Sequence, residues 1–566
     1  MNRILRVNMK GGNVSEKEIE EKQKWIAGRA LTSKIISEEV EPTCDVLGKN
    51  NKLVFATGLF AGSTVSSANR LSIGGKSPLT GTIKESNAGG TLAFKMGKLG
   101  IRCIVIEDVP PEGENFLLYI SKEKTELIPA NKYWGIDTQE LACELRKKYG
   151  EKVGMALIGS AGGNLSLSSG IAVTDLQGRP SRFAGRGGLG ALMGSKGLKA
   201  VIIDDQGAES LSIKDVESFT EIQKEITKEI TSNEQVAKTF TKLGTSGLVK
   251  LINSMGALPT QNFSKGSFDE AESISGEAMY ERILERGGAG NPSHSCMPGC
   301  IIRCSNVYPD KDGEEIVAPL EYETIGLMGS NCGISDLDTI AHLNKKCNDL
   351  GLDTIDTGGA IAIAMEAGVI DFGDGKGALE LLDEVYEQTW LGKIIASGGR
   401  RTGEVLGVRR IPTCKSQIIP AYDPRAIKGL GVTYATSTMG ADHTAGQTLR
   451  APVEHTRAEG QVEASRNAQI TNAIYDITGT CFFLGAGINK KLEWLSDLAT
   501  AVFGEECKLE DLYAIAGETL QREKDFNYNA GFSDANNQLP EFFYFERNPD
   551  TDTVFDVNQE EMKMIF

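Results

Sequence analysis

The chain has 566 residues, too long for one hydrophobic core, so on the order of two to four domains are expected. A formal charge of −17 argues against a broad nucleic-acid or anionic-membrane surface. No apolar run reaches the roughly 18 residues of a membrane span, and residues 1–4 lead straight into alternating sequence, so a cytoplasmic protein is expected.

Short β-rich runs separated by Gly, Ser and Asn turns fill the first part of the chain. They are residues 4–7, 52–56, 103–106, 116–120, 153–158 and 199–203, and they predict sheets packed as a base layer over residues 1–206. Four glycine-rich segments, 74–81, 86–90, 159–164 and 184–190, punctuate this part. Such turns can offer backbone N–H groups to phosphates, and Arg70, Arg182 and Arg186 stand close by as charged donors; tight turns between strands are the plainer reading. Residues 185–190 have a GxGxxG outline, but no strand–helix unit with a downstream acid is evident. From Ser212 the pattern turns helical, with a start at Asp215 and an amphipathic stretch expected through Leu248. Helices and loops alternate thereafter, and a boundary near residues 409–416 divides a helical segment, 207–412, from another, 413–566. No internal repeat is visible.

Eleven cysteines without a secretory leader suggest thiols and metal ligation rather than disulfides. Three of them, Cys296, Cys300 and Cys304, stand four residues apart, and Cys481 follows far downstream. That is the ligand count of a [4Fe-4S] cluster. On a helix the three would share one face as ordinary buried residues, but Pro298 and Gly299 interrupt a helix and favour a ligand loop.

Several ordered stretches resemble the tungsten- or molybdenum-containing aldehyde:ferredoxin oxidoreductases: Lys76-Ser77-Pro78-Leu79-Thr80-Gly81, the run from Ala184-Gly185-Arg186-Gly187-Gly188 to Lys196, Glu321-Tyr322-Glu323-Thr324, and Ala421-Tyr422-Asp423-Pro424-Arg425. The resemblance implies an α+β protein, with a β-rich N-terminal base domain and two mostly helical domains covering a metal held by two pterins. In this family two motifs of the form Asp-x-x-Gly-Leu-(Cys/Asp) hold one pterin each. Here they correspond to Asn348, Gly351, Leu352 and Asp353, and to Asp476, Gly479, Thr480 and Cys481. Asn348 replaces the acid of the first motif, and its amide oxygen can still accept from a pterin N–H. Thr480 replaces the leucine of the second. Each motif also reads as a helix ending at a glycine cap.

By the same resemblance the backbone carbonyls of Asn87 and Phe183 hold a Mg2+ between the pterin phosphates, and Arg70 lies between cluster and pterin. Relatives commonly show Cys-x-x-Cys-x-x-x-Cys. Aligning Cys296 and Cys300 with its last two cysteines leaves Ser293 at the first position and makes Cys304 additional; His294 is an alternative ligand. Glu323 matches a glutamate, and His443 a histidine, near the metal, suiting a base toward water and a donor to the developing oxyanion. A Glu-x-x-His dimer metal of some relatives is not expected, since His342 and Lys345 occupy those positions. The implied activity interconverts an aldehyde and its carboxylate, with ferredoxin or an iron–sulfur subunit as electron partner. The alternatives are reduction of another substrate by the same cofactors, or an electron-transfer or scaffold subunit without a substrate site.

Overall fold

In the computed structural model, which describes residues 3–566, the N-terminal part is built from two six-stranded sheets. The first contains β1 (Arg3–Asn8), β2 (Asn13–Glu18), β3 (Leu53–Thr57), β4 (Leu71–Lys76), β5 (Ile83–Ala88) and β6 (Ile101–Glu107), in the order β2-β1-β6-β3-β4-β5. The second contains β7 (Phe116–Ile120), β8 (Thr125–Pro129), β9 (Gly154–Leu157), β10 (Ile171–Thr174), β11 (Pro180–Ala184) and β12 (Leu198–Ile203), in the order β8-β7-β12-β9-β10-β11. Each expected strand run falls on a strand.

The two sheets have one topology used twice. In each, the first and last strands pair in parallel and every other neighbour is antiparallel. Helices enter at matching points: Gly28–Glu39 and Thr138–Tyr149 after the first hairpin, Leu92–Lys98 and Leu189–Ser195 before the closing strand. This corrects the expectation of no repeat. A strand buried on both faces asks only for apolar residues in a short run, so two copies can share an architecture without sharing residues.

The strand pattern shows how the layers form. Leu5, Val7, Phe55, Ile73 and Ile104 point to one face of the first sheet and meet Ile158, Val173 and Val201 of the second in a common core. Their neighbours Val54, Ala56, Cys103 and Val105 point the other way, against Leu31, Ile35 and Ile36 of helix Gly28–Glu39. The period of two in each strand sets both contacts. The edge strands β5 and β11 come together, and their meeting line forms the floor of the cavity described below.

The glycine-rich segments are less uniform than turns. Gly74 and Gly75 lie within β4 and Asn87 within β5, whereas residues 185–188 link β11 directly to helix Leu189–Ser195. A strand–turn–helix unit is therefore present there, contrary to the sequence reading.

Beyond residue 203 the chain is mostly helical, as expected, with a three-stranded and a two-stranded sheet. Asp215 caps helix Val216–Ser232 by accepting from Ser218 N–H. The single helix expected through Leu248 is broken: it stops at Asn233, passes through a π-helical turn, Gln235–Phe240, and turns at Gly244, where φ is +65°. Asn233 donates to the Ala486 carbonyl at 2.8 Å and so leaves the helix to pair with another element. Helix Thr354–Glu366, rich in Ala, Ile and Gly, is buried over nearly its whole length at the centre of the largest apolar core. Among the described residues no helix is long and apolar enough to cross a membrane.

Candidate functional site

A cavity of about 400 Å³ lies where the two edge strands meet the helical part. All but four of the expected site residues line it. Gly187, Gly351, Gly479 and Cys300 do not, although each adjoins or contacts a lining residue.

The two glycine-capped motifs arrive from related directions. Helix Leu337–Leu350 ends at Gly351 with φ +82°, and helix Gln461–Thr478 ends at Gly479 with φ +76°. Only glycine adopts this left-handed geometry without strain. Each cap packs on a glycine that follows equivalent strands of the duplicated base. A Cβ on Gly159 would stand 2.2 Å from the Leu350 carbonyl oxygen, and one on Gly58 2.2 Å from the Gly479 nitrogen. The backbones therefore touch, which delivers Asp353 and Asp476 to opposite sides of the β5–β11 floor.

The first side is held by Arg186, which donates to Asp353 at 3.2 Å and to the Ile418 carbonyl at 2.6 Å. Asp353 also caps helix Thr354–Glu366 through Ile355 N–H. Gly187 is required here because a Cβ would enter the Lys84 side chain at 2.7 Å. At Gly185, by contrast, a Cβ would meet only ordinary contacts, 3.7 Å from the Phe183 Cβ and 3.9 Å from Asp353 Oδ1. On the second side Arg29 donates to Glu523 through two nitrogens at 2.9 and 2.8 Å and reaches Asp476 at 3.5 Å. Burial and the nearby Glu85 carboxylate push the Asp476 carboxyl well above the usual range, against the pull of Arg29 and Arg70. Thr480 is buried, with its hydroxyl 2.8 Å from that of Thr478.

Arg70 bridges the two halves of the site. Its Nη2 donates to the Asn87 carbonyl at 3.2 Å, and its Nε donates to the Asn87 side chain. Its charge acts on Cys481 and Cys296 on one side and on Asp476 and Glu85 on the other. Arg182 donates to Glu321 at 3.4 Å and to the Ser305 hydroxyl. Phe183, next along β11, pairs with Ala172 on one edge and leaves the other toward the cavity.

Cys296, Cys300 and Cys304 lie on an irregular loop after the short strand Asn291–His294, and Cys481 follows the Gly479 cap. Cys481 N–H donates to the Ser67 carbonyl at 2.8 Å, and Gly90 N–H donates to the Cys296 carbonyl at 2.9 Å, so both cysteine segments are tied to the base. The four thiols act on one another. Cys300 is lowered to about 5, chiefly by a hydrogen bond from Cys296 with help from the Arg303 and Ile302 N–H groups, while Cys300 and burial push Cys296 far up. Burial likewise raises Cys304 and Cys481. The other two ligand candidates point elsewhere: His294 meets Gln177 at 2.6 Å, and Ser293 donates to the Arg303 carbonyl at 3.4 Å.

Glu323 begins a helical turn that continues as a π-helix, Ile325–Gly329, a form of local irregularity common at functional sites. Its Oε2 accepts from Ala421 N–H at 2.9 Å, and its Oε1 stands 3.4 Å from His443 Nδ1, out of line for a hydrogen bond. Both facing atoms are buried without a hydrogen-bond partner. Burial raises the Glu323 carboxyl above its ordinary range, opposed mainly by His443.

Sequence reasoning missed Arg29, Glu85 and Asp442. Glu85 sits two residues before Asn87 on β5, on the same face by the strand period, and that signal was available. Asp442 neighbours His443 and pairs with the buried Lys84 at 3.1 Å, which helps hold its carboxyl far below the usual range despite burial. His342 is exposed, and Lys345 pairs with Asp349 on the same helix.

Two family models match, described as the N-terminal domain of aldehyde ferredoxin oxidoreductase over residues 4–205 and as its domains 2 and 3 over residues 221–565. The chain belongs to the aldehyde ferredoxin oxidoreductase family. It is 32% identical to the tungsten-containing aldehyde ferredoxin oxidoreductase of Pyrococcus furiosus, over 97% of this chain and 92% of that one. The enzyme of the same name from Thermococcus kodakarensis is 32% identical over the same shares. A P. furiosus aliphatic sulfonate oxidoreductase, WOR-like subunit, is 27% identical over 87% of this chain and 81% of that one. Among solved structures, the active site complex BamBC of benzoyl coenzyme A reductase shares the fold, with a TM-score of 0.82 at 19% identity, covering 100% of this chain and 93% of that one.

The residues present fit the cofactors of such a family. Cys481 is buried and Cys296, Cys300 and Cys304 are partly buried, and a Cys300 thiolate opposes ionisation of the other three, a donor set that a cationic cluster core satisfies. Among the described residues no three His, Cys, Asp or Glu side chains close on one point as ligands of a single ion would. Thiolates that each hold a different iron of a cubane need not do so. The buried, mutually repelling Glu85 and Asp476 are acceptors suited to N–H donors of a bound heterocycle.

Proposed function

We propose that this chain interconverts an aldehyde and its carboxylate at a tungsten or molybdenum bis-pterin centre, with electrons leaving through a [4Fe-4S] cluster to ferredoxin or an iron–sulfur partner subunit. The single observation that carries this reading is the facing pair of Glu323 and His443, 3.4 Å apart, in the cavity that the two glycine-capped motifs and the cysteines share. Asn348, Gly351, Leu352 and Asp353 would hold one pterin, and Asp476, Gly479 and Thr480 the other. Arg182, Gly185, Arg186 and Gly187 would border the phosphates, and the carbonyls of Asn87 and Phe183 would hold Mg2+. Cys296, Cys300, Cys304 and Cys481 would hold the cluster, with Arg70 between it and the pterin.

Oxidation consumes one water and releases a carboxylate, three protons and two electrons. When bound, the metal centre would supply two-electron redox chemistry and the cluster one-electron transfer. The protein's own residues handle protons and charge. Glu323 Oε1 accepts a proton from the attacking water, and Ala421 N–H on Oε2 fixes the carboxylate so that Oε1 is the free oxygen. His443 stands opposite as donor to the oxygen on which negative charge develops. Tyr422, its ring 5.8 Å from that of His443, limits the volume left to water. Retention of both Glu323 and His443 favours this reading over a scaffold role.

The test is elemental and pterin analysis of protein purified anaerobically, together with aldehyde-dependent reduction of a low-potential dye. Tungsten or molybdenum at about one per chain, with about two pterins and about four irons, and dye reduction are expected. Iron without pterin or heavy metal, and no aldehyde turnover, would overturn the proposal.

A further inference from the structure

Five arginines line the cavity, and four are engaged at its inner end: Arg29 by Glu523, Arg70 by Asn87, Arg182 by Glu321 and Ser305, and Arg186 by Asp353. The fifth, Arg450, is different. It makes no hydrogen bond or ion pair with any described residue, in a chain where acids outnumber Lys and Arg 77 to 60. Its guanidinium lies 5.3 Å from the centre of the Phe240 ring. Phe240 in turn packs on Phe483 at 4.8 Å, and Phe483 on Phe482 at 4.3 Å, giving the cavity an aromatic wall on this side.

Arg450 reaches solvent although its guanidinium is partly desolvated, whereas the Glu323 and His443 side chains are each only 15% exposed, which places Arg450 nearer the mouth. Its charge also bears on the Tyr422 hydroxyl, and the Tyr422 ring leads to His443. Arg450, Tyr422, His443 and Glu323 therefore form a line from the mouth to the reacting pair. A guanidinium laid on an aromatic ring is held by its face while its edge N–H groups stay free. Those N–H groups suit a carboxylate, which a guanidinium can bind through two parallel hydrogen bonds.

We propose that Arg450 is a specificity-determining residue that selects aldehydes carrying a carboxylate at the end remote from the reacting carbonyl. The aromatic wall of Phe240, Phe482 and Phe483 receives the hydrocarbon between the two groups. The inference rests on the aldehyde chemistry proposed above and adds the substrate class to it.

The test uses holoenzyme and a series of aryl and alkyl aldehydes bearing a remote carboxylate, each beside its neutral methyl ester, with 4-carboxybenzaldehyde as the first pair. The ester keeps nearly the size of the carboxylate and removes its charge; because it also withdraws electrons more strongly, the acid-to-ester ratio of the Gln variant serves as the electronic baseline. In the wild type at least one acid is expected to exceed its ester in kcat/KM by tenfold or more, about 1.4 kcal/mol. In Arg450→Gln that preference is expected to fall at least tenfold, through KM, and Arg450→Lys is expected to keep part of it. Raised ionic strength should weaken the wild-type preference and leave the Gln variant's ratio unmoved.

Equal acid-to-ester ratios in wild type and variant would overturn the proposal. So would loss of pterin from Arg450→Gln, measured on the purified protein, because it would assign the guanidinium to the cofactor. Turnover of the esters with no preference for any acid would sink this inference alone, whereas no turnover of any aldehyde would sink the reaction on which it rests.

Discussion

The role proposed for Glu323 and His443 depends on one largely buried carboxylate in a defined state. A general base acts as the anion, and burial raises the Glu323 carboxyl, so protonation should remove activity at a higher pH than for an exposed glutamate near about 4.3. The acid limb of the kcat/KM profile should accordingly lie above the ordinary carboxylate range, with activity rising as pH increases through it. Glu323→Gln keeps the shape and removes the proton acceptor. It should lower kcat by about a hundredfold or more while metal, pterin and iron contents stay at wild-type levels. An unchanged rate, or an acid limb surviving in the variant, would remove Glu323 from this role. Cys481→Ser tests the other pole. Serine keeps the N–H bond to the Ser67 carbonyl, so the segment should hold its place while the cluster is damaged. An intact four-iron spectrum would strike Cys481 from the ligand set.

At the level of elements, the close approach of a glycine to a helix cap does the positioning. A methyl on Gly58 would meet the Gly479 nitrogen at 2.2 Å and its Cα at 2.3 Å, and neither backbone atom can turn aside. Gly58→Ala should therefore displace the cap that carries Thr480 and Cys481, lower the thermal midpoint and reduce bound iron and pterin together. Overpacking of this kind costs on the order of 1–3 kcal/mol. Gly517→Ala is the matched control. It lies within helix Leu509–Asn529 with nothing within 4 Å of its Cβ position, so the same change should be neutral or stabilising by roughly 1 kcal/mol. Equal effects of the two substitutions would mean that contact geometry is not what matters at Gly58.

The same elements show what could be read from the chain alone. Glycine caps after Leu350 and Thr478 were legible because a left-handed residue at a helix end leaves a local signature. The strands were legible from short apolar runs, and the irregular loop carrying Cys296, Cys300 and Cys304 from Pro298 and Gly299. The duplicated sheet was not, since its two copies agree in strand order and differ in residues. Nor was the break at Asn233, whose side chain donates to the Ala486 carbonyl far along the chain. Arg29 and Arg450 look alike in sequence. Only the fold gives one a buried carboxylate and leaves the other bare at the cavity mouth.

Taken as a whole, the molecule is tied around its site by a buried ion pair that joins its two ends. Arg29, on the first helix of the base, donates two hydrogen bonds to Glu523 of helix Leu509–Asn529, with side chains only 2% and 0% exposed. Ser33 and Thr438 donate to the same carboxylate, at 2.7 and 2.6 Å. Thr438 is in the segment that leads to Asp442 and His443, and its carbonyl accepts from Asn527 at 2.7 Å. One carboxylate thus ties together the base, the last long helix and the segment leading to His443. Burying a charge is expensive, and removing one partner of such a pair leaves the other uncompensated, at about 3–5 kcal/mol. Glu523→Gln should lower stability by an amount of that order, reduced to the extent that Asp476, 3.5 Å from Arg29, ionises and takes up the charge. Glu523→Gln/Asp476→Asn removes that relief, so the double variant should lose more than the sum of the single losses. Thermal inactivation of the three holoenzymes measures this. Additive losses would mean that Asp476 does not share the guanidinium, and no loss at Glu523→Gln would mean that the ends are held by the surrounding apolar packing alone.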